Sequence, residues 1–214
     1  MVQVKDLTIS AKSGNSGNPA SFQSFIKIML DYLVSILILL MSSPFLLLLS
    51  VIIKISGKGP VIYTQDRIGR NGRPFSIYKF RSMVYKAESG EPMLSAVNEE
   101  RVTRIGHFLR KYKIDEIPNF INVLKGEMSI VGPRPERKFF IDQIVKLVPE
   151  YNELQKVKPG ITSWGQVKFG YASNVDEMIK RLEYDLYYMK NRSLWFDVKI
   201  FFYSIGIIFK GKGI

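Results

Sequence analysis

From Tyr32 to Ile53 the chain runs for about 22 residues without a charge, the length a helix needs to cross the hydrocarbon of a bilayer. Lys27 and Asp31 precede this run, and Lys54 and Lys58 follow it. A buried core helix is the competing reading, and the length of the run argues against it. Ser42-Ser43-Pro44 stands in the middle. Proline removes a backbone donor and clashes with the preceding turn, so a kink is expected there. The adjacent serine hydroxyls are suited to satisfying the strained backbone, which finds no water in lipid. Two geometries fit: a kinked spanning helix, or a helix that bends and returns to the face it entered from. The basic residues after the run (Lys54, Lys58, Arg67, Arg70, Arg73) put the main domain in the cytoplasm. No small-residue cleavage site closes the run, so a removable signal peptide is not expected. Residues 1–24, rich in Ser, Gly and Asn, read as a flexible tail.

A formal charge of +12 calls for an anionic partner: nucleic acid, acidic lipid headgroups or a phosphorylated substrate. The sequence has no cysteine, which excludes disulfides and thiolate metal sites. Its only histidine, His107, lies off the apolar stripe of its helix and reads as a surface residue. Acid–base or nucleophilic chemistry therefore falls mainly to carboxylates, lysines and hydroxyls.

After the apolar run, Val61–Thr64 and Phe75–Arg81 flank a turn around Asn71-Gly72 and predict a β-hairpin. The two-residue alternation puts Phe75, Ile77, Lys79 and Arg81 on one face, so two cations continue an apolar surface. That suits a phosphate pocket, although strand-end cations are also commonly just exposed. Residues 88–100 form an acidic loop, and a helix is expected from Val102 to Tyr112.

The segment from Ile114 to Gly126 opens like a helix, with Asp115 as N-cap, Pro118 in the first turn and Ile117, Phe120, Ile121 and Leu124 as its stripe. Asp115 and Glu116 then stand at a helix N-terminus, where the dipole favours anions. Adjacent acids do not share a helix face, so one can attack while the other binds metal or handles a proton. Magnesium, a hard cation bound through carboxylate oxygen, fits such a pair beside a diphosphate. The competing reading makes Asp115 a structural cap and Glu116 a first-turn acid. Downstream, Pro133 and Pro135 stiffen the backbone around Arg134 and present it for bidentate phosphate binding. Lys158–Val167 reads as a turn leading into a short extended segment, followed by a helix over Val175–Lys190. Asp185 borders that helix's apolar side, either facing a site or pairing with Arg181 one turn back. The aromatic stretch Leu194–Phe209 fits a helix in the headgroup region or one packed into the core.

Taken in order, these pieces resemble the bacterial monotopic phosphoglycosyl transferases. The matching stretches are the apolar helix with Ser43-Pro44, Gly59–Gln65, Tyr78–Met83, Asp115–Pro118, Asn122–Ser129, Val131–Pro135, Lys158–Thr162 and Asp185–Tyr188. The likeness runs from about Phe25 to Gly213. It departs at Ser163 and Gly165, where family members usually read Thr-Gly-Trp-Ala-Gln against Thr162-Ser163-Trp164-Gly165-Gln166 here. Larger relatives carry additional N-terminal membrane helices, so the chain is expected to be a minimal catalytic unit.

The resemblance implies a mainly helical α+β fold with a re-entrant membrane helix bent at Ser43-Pro44, a small β-hairpin and amphipathic interfacial helices. Its parts would be a tail over 1–24, the re-entrant helix over 25–55, and a cytoplasmic catalytic domain over 56–214 lying on the bacterial inner membrane. It further implies a ping-pong reaction in which Asp115 attacks the sugar-proximal phosphate of a UDP-sugar, releases UMP and holds the phosphosugar. Polyprenyl (undecaprenyl) phosphate then collects it as a first membrane step of glycan assembly. Glu116 matches the second catalytic acid, and Mg²⁺ on Asp115 and Glu116 is the expected cofactor. Lys79, Arg110, Arg134 and Asp185 match active-site positions, Asp185 in a supporting role, with Arg81 added as a phosphate ligand. The implied partners are the UDP-sugar, polyprenyl phosphate and membrane lipid, without nucleic acid; a homodimer and downstream glycosyltransferases complete the set. Two other functions compete. A basic membrane adaptor explains the charge and aromatics but not the Asp115-Glu116 pair, and nucleic-acid binding is disfavoured by the long apolar run.

Overall fold

The computed structural model describes residues 19–85, 92, 94 and 100–211. Most of the expected tail and most of the acidic loop over 88–100 lie outside the described residues. Helix α1 spans Pro19–Ile55, so residues 19–24, expected as tail, are helical. Proline suits a first helical position because its missing N–H would have no intrahelical partner.

α1 continues as one helix through Pro44. Pro44 cannot donate to the Leu40 carbonyl four residues back, and the Ser43 hydroxyl donates to that oxygen at 2.8 Å. Ser42 and Ser50 donate likewise to Ile38 and Leu46. The serines thus supply the satisfaction expected of them. Along the helix, Leu33, Leu37, Leu40, Met41, Leu47, Leu48 and Val51 are exposed. The stretch Phe22–Ile55 is long and apolar enough to cross a membrane, with little of it buried against the protein.

Strands β1 (Ile62–Ile68) and β2 (Pro74–Phe80) form the antiparallel hairpin, with Tyr63 opposite Lys79. Its turn holds Asn71 at φ 58°, a left-handed conformation that asparagine tolerates better than most residues. Helix α2 (Arg104–Lys111) starts at Thr103, whose hydroxyl accepts the Gly106 N–H. α3 spans Asn119–Leu124. β3 (Ser129–Val131) and β4 (Gly160–Thr162) form a short parallel pair. Between them lie α4 (Lys138–Leu147) and a 3₁₀ segment, Pro149–Lys156. A Cβ on Gly160 would stand 2.2 Å from the Gly132 nitrogen, so the close strand approach requires glycine. α5 (Trp164–Lys168), α6 (Val175–Lys190) and α7 (Leu194–Phe209) complete the chain.

Four apolar clusters hold these pieces, the smallest joining Ile77 of β2, Val123 of α3 and Met128. Phe140, Ile141, Ile144, Tyr151, Leu154, Met178 and Leu182 join α4, the 3₁₀ segment and α6. Phe120, Ile130, Trp164, Tyr188 and Ile200 meet Val34, Ile38 and Leu39 of α1. Leu49 and Ile53 of α1 pack on Phe80 and Leu109. Both halves of α1 therefore rest on the folded domain. α7 is buried on one side and exposed on the other: Ile200 is fully buried, while Trp195, Phe202 and Phe209 are 78%, 65% and 82% exposed.

Arg81 corrects an expectation. It lies just beyond β2, and its guanidinium donates to the carbonyls of Ile53, Gly57 and Lys58 at the C-terminal end of α1. Helix C-termini leave carbonyls unpaired and attract cations, so Arg81 anchors the helix end although it borders the cavity described below. Arg81→Met is expected to lower stability by roughly 2–3 kcal/mol, because three carbonyls lose a charged donor. Thermal or denaturant unfolding of the detergent-solubilised protein measures this, and an unchanged midpoint contradicts the clamp.

Candidate active site

The expected helix start at Asp115 is replaced by a tighter device. Lys113 adopts a left-handed conformation (φ 52°, ψ 24°), which stops α2 and leads into a 3₁₀ turn over Ile114–Glu116. α3 follows with Pro118, which makes no side-chain bond, at its N-cap position. Asp115 is thus not a cap. Its carboxylate is left to line a cavity of about 450 Å³ together with Glu116, Lys79, Arg110, Arg134, Glu136 and Tyr171.

Lys79 arrives from β2 and donates to Glu116 Oε1 at 2.6 Å. Arg134, from the turn after β3, places a terminal nitrogen 3.6 Å from the same oxygen and its Nε 3.9 Å from Glu136 Oε1. Tyr171 lies against two cations, with Arg134 Cζ 5.2 Å and Lys113 Nζ 5.4 Å from its ring centroid. The hairpin is held at this distance by two asparagines of α3. Asn119 Oδ1 and Asn122 Oδ1 both accept the Tyr78 N–H, and Asn122 Nδ2 donates to the Ser76 carbonyl at 2.8 Å.

The two acids are driven apart electrostatically. Burial pushes Asp115 up to about 6, aided by the neighbouring Glu116 charge and opposed by Lys79 and Arg110. Burial also disfavours a charged Glu116, but Lys79, Arg134 and Lys113 together outweigh it and hold that carboxyl well below its ordinary range. Glu116 therefore stays ionised while Asp115 titrates just below neutrality. Such separation of a carboxylate pair suits the two groups to different work.

Residues 22–211 match the model of the bacterial sugar transferases, nearly the whole chain. The chain belongs to that family. It is 44% identical over 195 residues to the UDP-N-acetylgalactosamine-undecaprenyl-phosphate N-acetylgalactosaminephosphotransferase of Aeromonas hydrophila, covering 91% of this chain and 46% of that protein. It is 43% identical over 183 residues to the UDP-glucose:undecaprenyl-phosphate glucose-1-phosphate transferase of Escherichia coli, covering 85% and 39%. A sugar transferase of Bacillus subtilis is 34% identical over 193 residues, covering 88% of this chain and 90% of that one. The chain thus spans less than half the length of the first two relatives and nearly all of the third.

Within this family member, Lys79, Arg110, Arg134, Asp115 and Glu116 come together as the sequence suggested, and Asp185 does not reach the cavity. Asp185 accepts the Gly165 N–H at 2.8 Å and is pushed up to about 6, chiefly by burial. It therefore supports the α5 turn from behind. Arg181, its expected pairing candidate, opposes that rise by its charge while donating its hydrogen bond to Glu136 at 2.5 Å. A Cβ on Gly165 would come within 2.8 Å of both Arg181 Cγ and Asp185 Oδ2, so glycine at this departure from the family pattern accompanies close packing of α5 on α6. Ser163, the other departure, caps α5 by accepting the Gln166 N–H. Ser43 and Pro44 lie in α1 away from the cavity, and His107 is exposed.

Glu136 was not legible as a site residue. It is buried with Arg181, Arg67 at 3.2 Å and Arg134 around it, and so fixes the arginine that faces Glu116. The one available signal was an acid directly following the stiff Pro-Arg-Pro turn. Lys113, Tyr171, Asn119 and Asn122 were missed as well.

An Asp115 that works in its ionised form makes turnover rise with pH through an apparent pKa near 6. Lys79 stabilises that ionised form, so Lys79→Met is expected to shift the rising limb to higher pH. A pH profile of kcat/KM for both proteins checks this; a limb that stays put on removing Lys79 contradicts the assignment.

Proposed function

We propose that the protein transfers a sugar phosphate from a UDP-sugar to polyprenyl phosphate, giving a polyprenyl diphosphosugar and UMP. The relatives are named for reactions of this type on undecaprenyl phosphate. The observation that carries the reading is the pair of adjacent buried carboxylates, one held ionised by Lys79 and Arg134 and the other poised near neutrality, in a cation-lined cavity.

In this reading an ionised Asp115 oxygen attacks the sugar-bearing phosphorus. A P–O bond forms to the carboxylate, and the P–O bond to UMP breaks, its electron pair leaving with UMP. The Asp115-bound phosphosugar is then attacked by a phosphate oxygen of the polyprenyl carrier, and Asp115 departs as a carboxylate. In-line displacement requires the carrier phosphate to enter from the side that UMP vacated. Splitting one displacement into two makes each easier, and Lys79, Arg110 and Arg134 stabilise the charge on the phosphoryl oxygens.

Magnesium remains the expected cofactor. Among the described residues no cluster of three or more Asp, Glu, His or Cys side chains forms a ready-made cage. One or two carboxylates suffice for magnesium when substrate phosphates complete the octahedron. Glu116 Oε1 carries Lys79 and Arg134, so Glu116 Oε2 and the Asp115 carboxylate are the oxygens suited to it. When bound, the ion would neutralise the diphosphate and the departing UMP.

The same reading places α1 in the membrane as a re-entrant helix, with the catalytic domain on the cytoplasmic face of the inner membrane. Support comes from attachment at both ends. Lys27 reaches Val131 and Asp197, Ile53 packs on Phe80 and Leu109, and exposed leucines lie between. The exposed aromatics of α7 suit the headgroup layer beside it.

Purified protein given a UDP-sugar and polyprenyl phosphate is expected to release UMP in a carrier-dependent way. Asp115→Asn should lower that rate by at least about a thousandfold, since the nucleophile is lost. A panel of UDP-sugars identifies the donor. Turnover near the wild-type rate in Asp115→Asn removes that residue from the reaction.

A further inference from the structure

The mechanism makes no use of the most buried charged group of the long apolar helix. Asp31 is 9% exposed, one turn after Lys27. Its Oδ2 accepts the Ser129 hydroxyl at 2.7 Å and its Oδ1 accepts the Ile130 N–H at 3.2 Å. Lys27 adds a bond to the Val131 carbonyl at 3.1 Å and pairs with Asp197 of α7 at 2.6 Å. All three residues of β3 are therefore engaged by one turn of α1.

What β3 leads into gives this its meaning. Beyond Val131 the chain stays in a hydrogen-bonded ladder with β4: Ser129 N–H donates to Pro159, Gly132 N–H to Thr162, and Gly160 N–H to Pro133. Arg134 is the next residue, and Pro135 restricts the backbone on its far side. A displacement of Ile130 has little slack in which to dissipate before it reaches the guanidinium facing Glu116. An ionised carboxylate at this place is costly for an apolar helix unless it is bonded as it is here. A merely adhesive contact could have been made with an apolar side chain, as it is at Val34 and Ile38.

We propose that Asp31 is a positioning residue for phosphoryl transfer. Through Ser129 and Ile130 it sets the seat of β3 and thereby the location of Arg134, so that the seating of the apolar helix controls the geometry of the active site. This rests on the function proposed above and adds to it that the membrane segment is a working part of the site as well as an anchor.

The test uses the full chain in detergent or nanodiscs, with UMP release from a UDP-sugar and polyprenyl phosphate as readout. Asp31→Ala is expected to lower kcat/KM about tenfold or more, since small misplacements of a positioning group are expensive. Asp31→Asn keeps an oxygen for Ile130 N–H and an amide facing Ser129, and should stay within about threefold of wild type. In an Arg134→Ala background, Asp31→Ala should cost less than about twofold, because the residue it positions is gone. Full activity of Asp31→Ala, or an equal cost in both backgrounds, overturns the proposal. If Asp31→Ala does not fold, Ser129→Ala decides: a partial loss with the same non-additivity supports the proposal, and wild-type activity overturns it. Independently of turnover, amide exchange over residues 129–134 should accelerate in the folded variant, and unchanged exchange overturns the proposal. Wild-type protein that releases no UMP, yet shows the exchange response, leaves the positioning intact and refutes the proposed function.

Discussion

The ion pair between Lys79 and Glu116 is the constraint on which the site depends. Glu116 is buried, and a buried carboxylate without a partner would lose its charge or destabilise the fold. Lys79 at 2.6 Å and Arg134 at 3.6 Å prevent this. Removing one partner of a buried pair generally costs about 3–5 kcal/mol, because the other is left charged and desolvated. The pair also joins the hairpin to the turn carrying the two acids, two elements far apart in sequence. Its electrostatic consequence is equally important. With Glu116 held ionised, its negative charge and burial together keep Asp115 near neutrality in its titration, and the cations keep it from rising further.

Around this pair the protein is organised as a series of charges held in place by other charges. Glu136 steadies Arg134 and is itself steadied by Arg181 and Arg67. Asn119 and Asn122 fix the strand that delivers Lys79. Such a network holds Lys79 and Arg134 in fixed positions on the cavity wall through their own acid partners. Preorganisation of this kind is a large source of rate enhancement in phosphoryl transfer. The apolar surface serves a different end. α1 and α7 expose leucines and aromatics that a water-soluble surface would not carry in such number, while the polar contacts of Lys27 and Asp31 fix α1 to the domain.

Much of this was legible in the residues. The apolar run, the hairpin around Asn71-Gly72, and the helices over Val175–Lys190 and Leu194–Phe209 follow from periodicity and turn chemistry. The convergence of Lys79, Arg110, Arg134, Asp115 and Glu116 came from the order of the motifs, since the segment alone favoured a structural cap. What failed did so for identifiable reasons. The 3₁₀ turn depends on a lysine at positive φ, a conformation no apolar pattern announces. Strand alternation put Arg81 beside Lys79, but the strand ends one residue earlier and unpaired helix carbonyls claim its guanidinium. Glu136, Asn119 and Asn122 look like solvated polar positions in a sequence, and only the fold shows that they are buried and satisfied.

The central claim is that the Asp115 carboxylate becomes transiently esterified to phosphorus. It is tested most directly by quenching the enzyme after mixing with UDP-sugar alone and mapping its peptides by mass spectrometry. The account predicts one phosphosugar adduct on the peptide carrying Asp115, with UMP released in matching amount before any carrier is added. No adduct and no UMP until polyprenyl phosphate is supplied, followed by normal turnover, would establish a single direct displacement and contradict it.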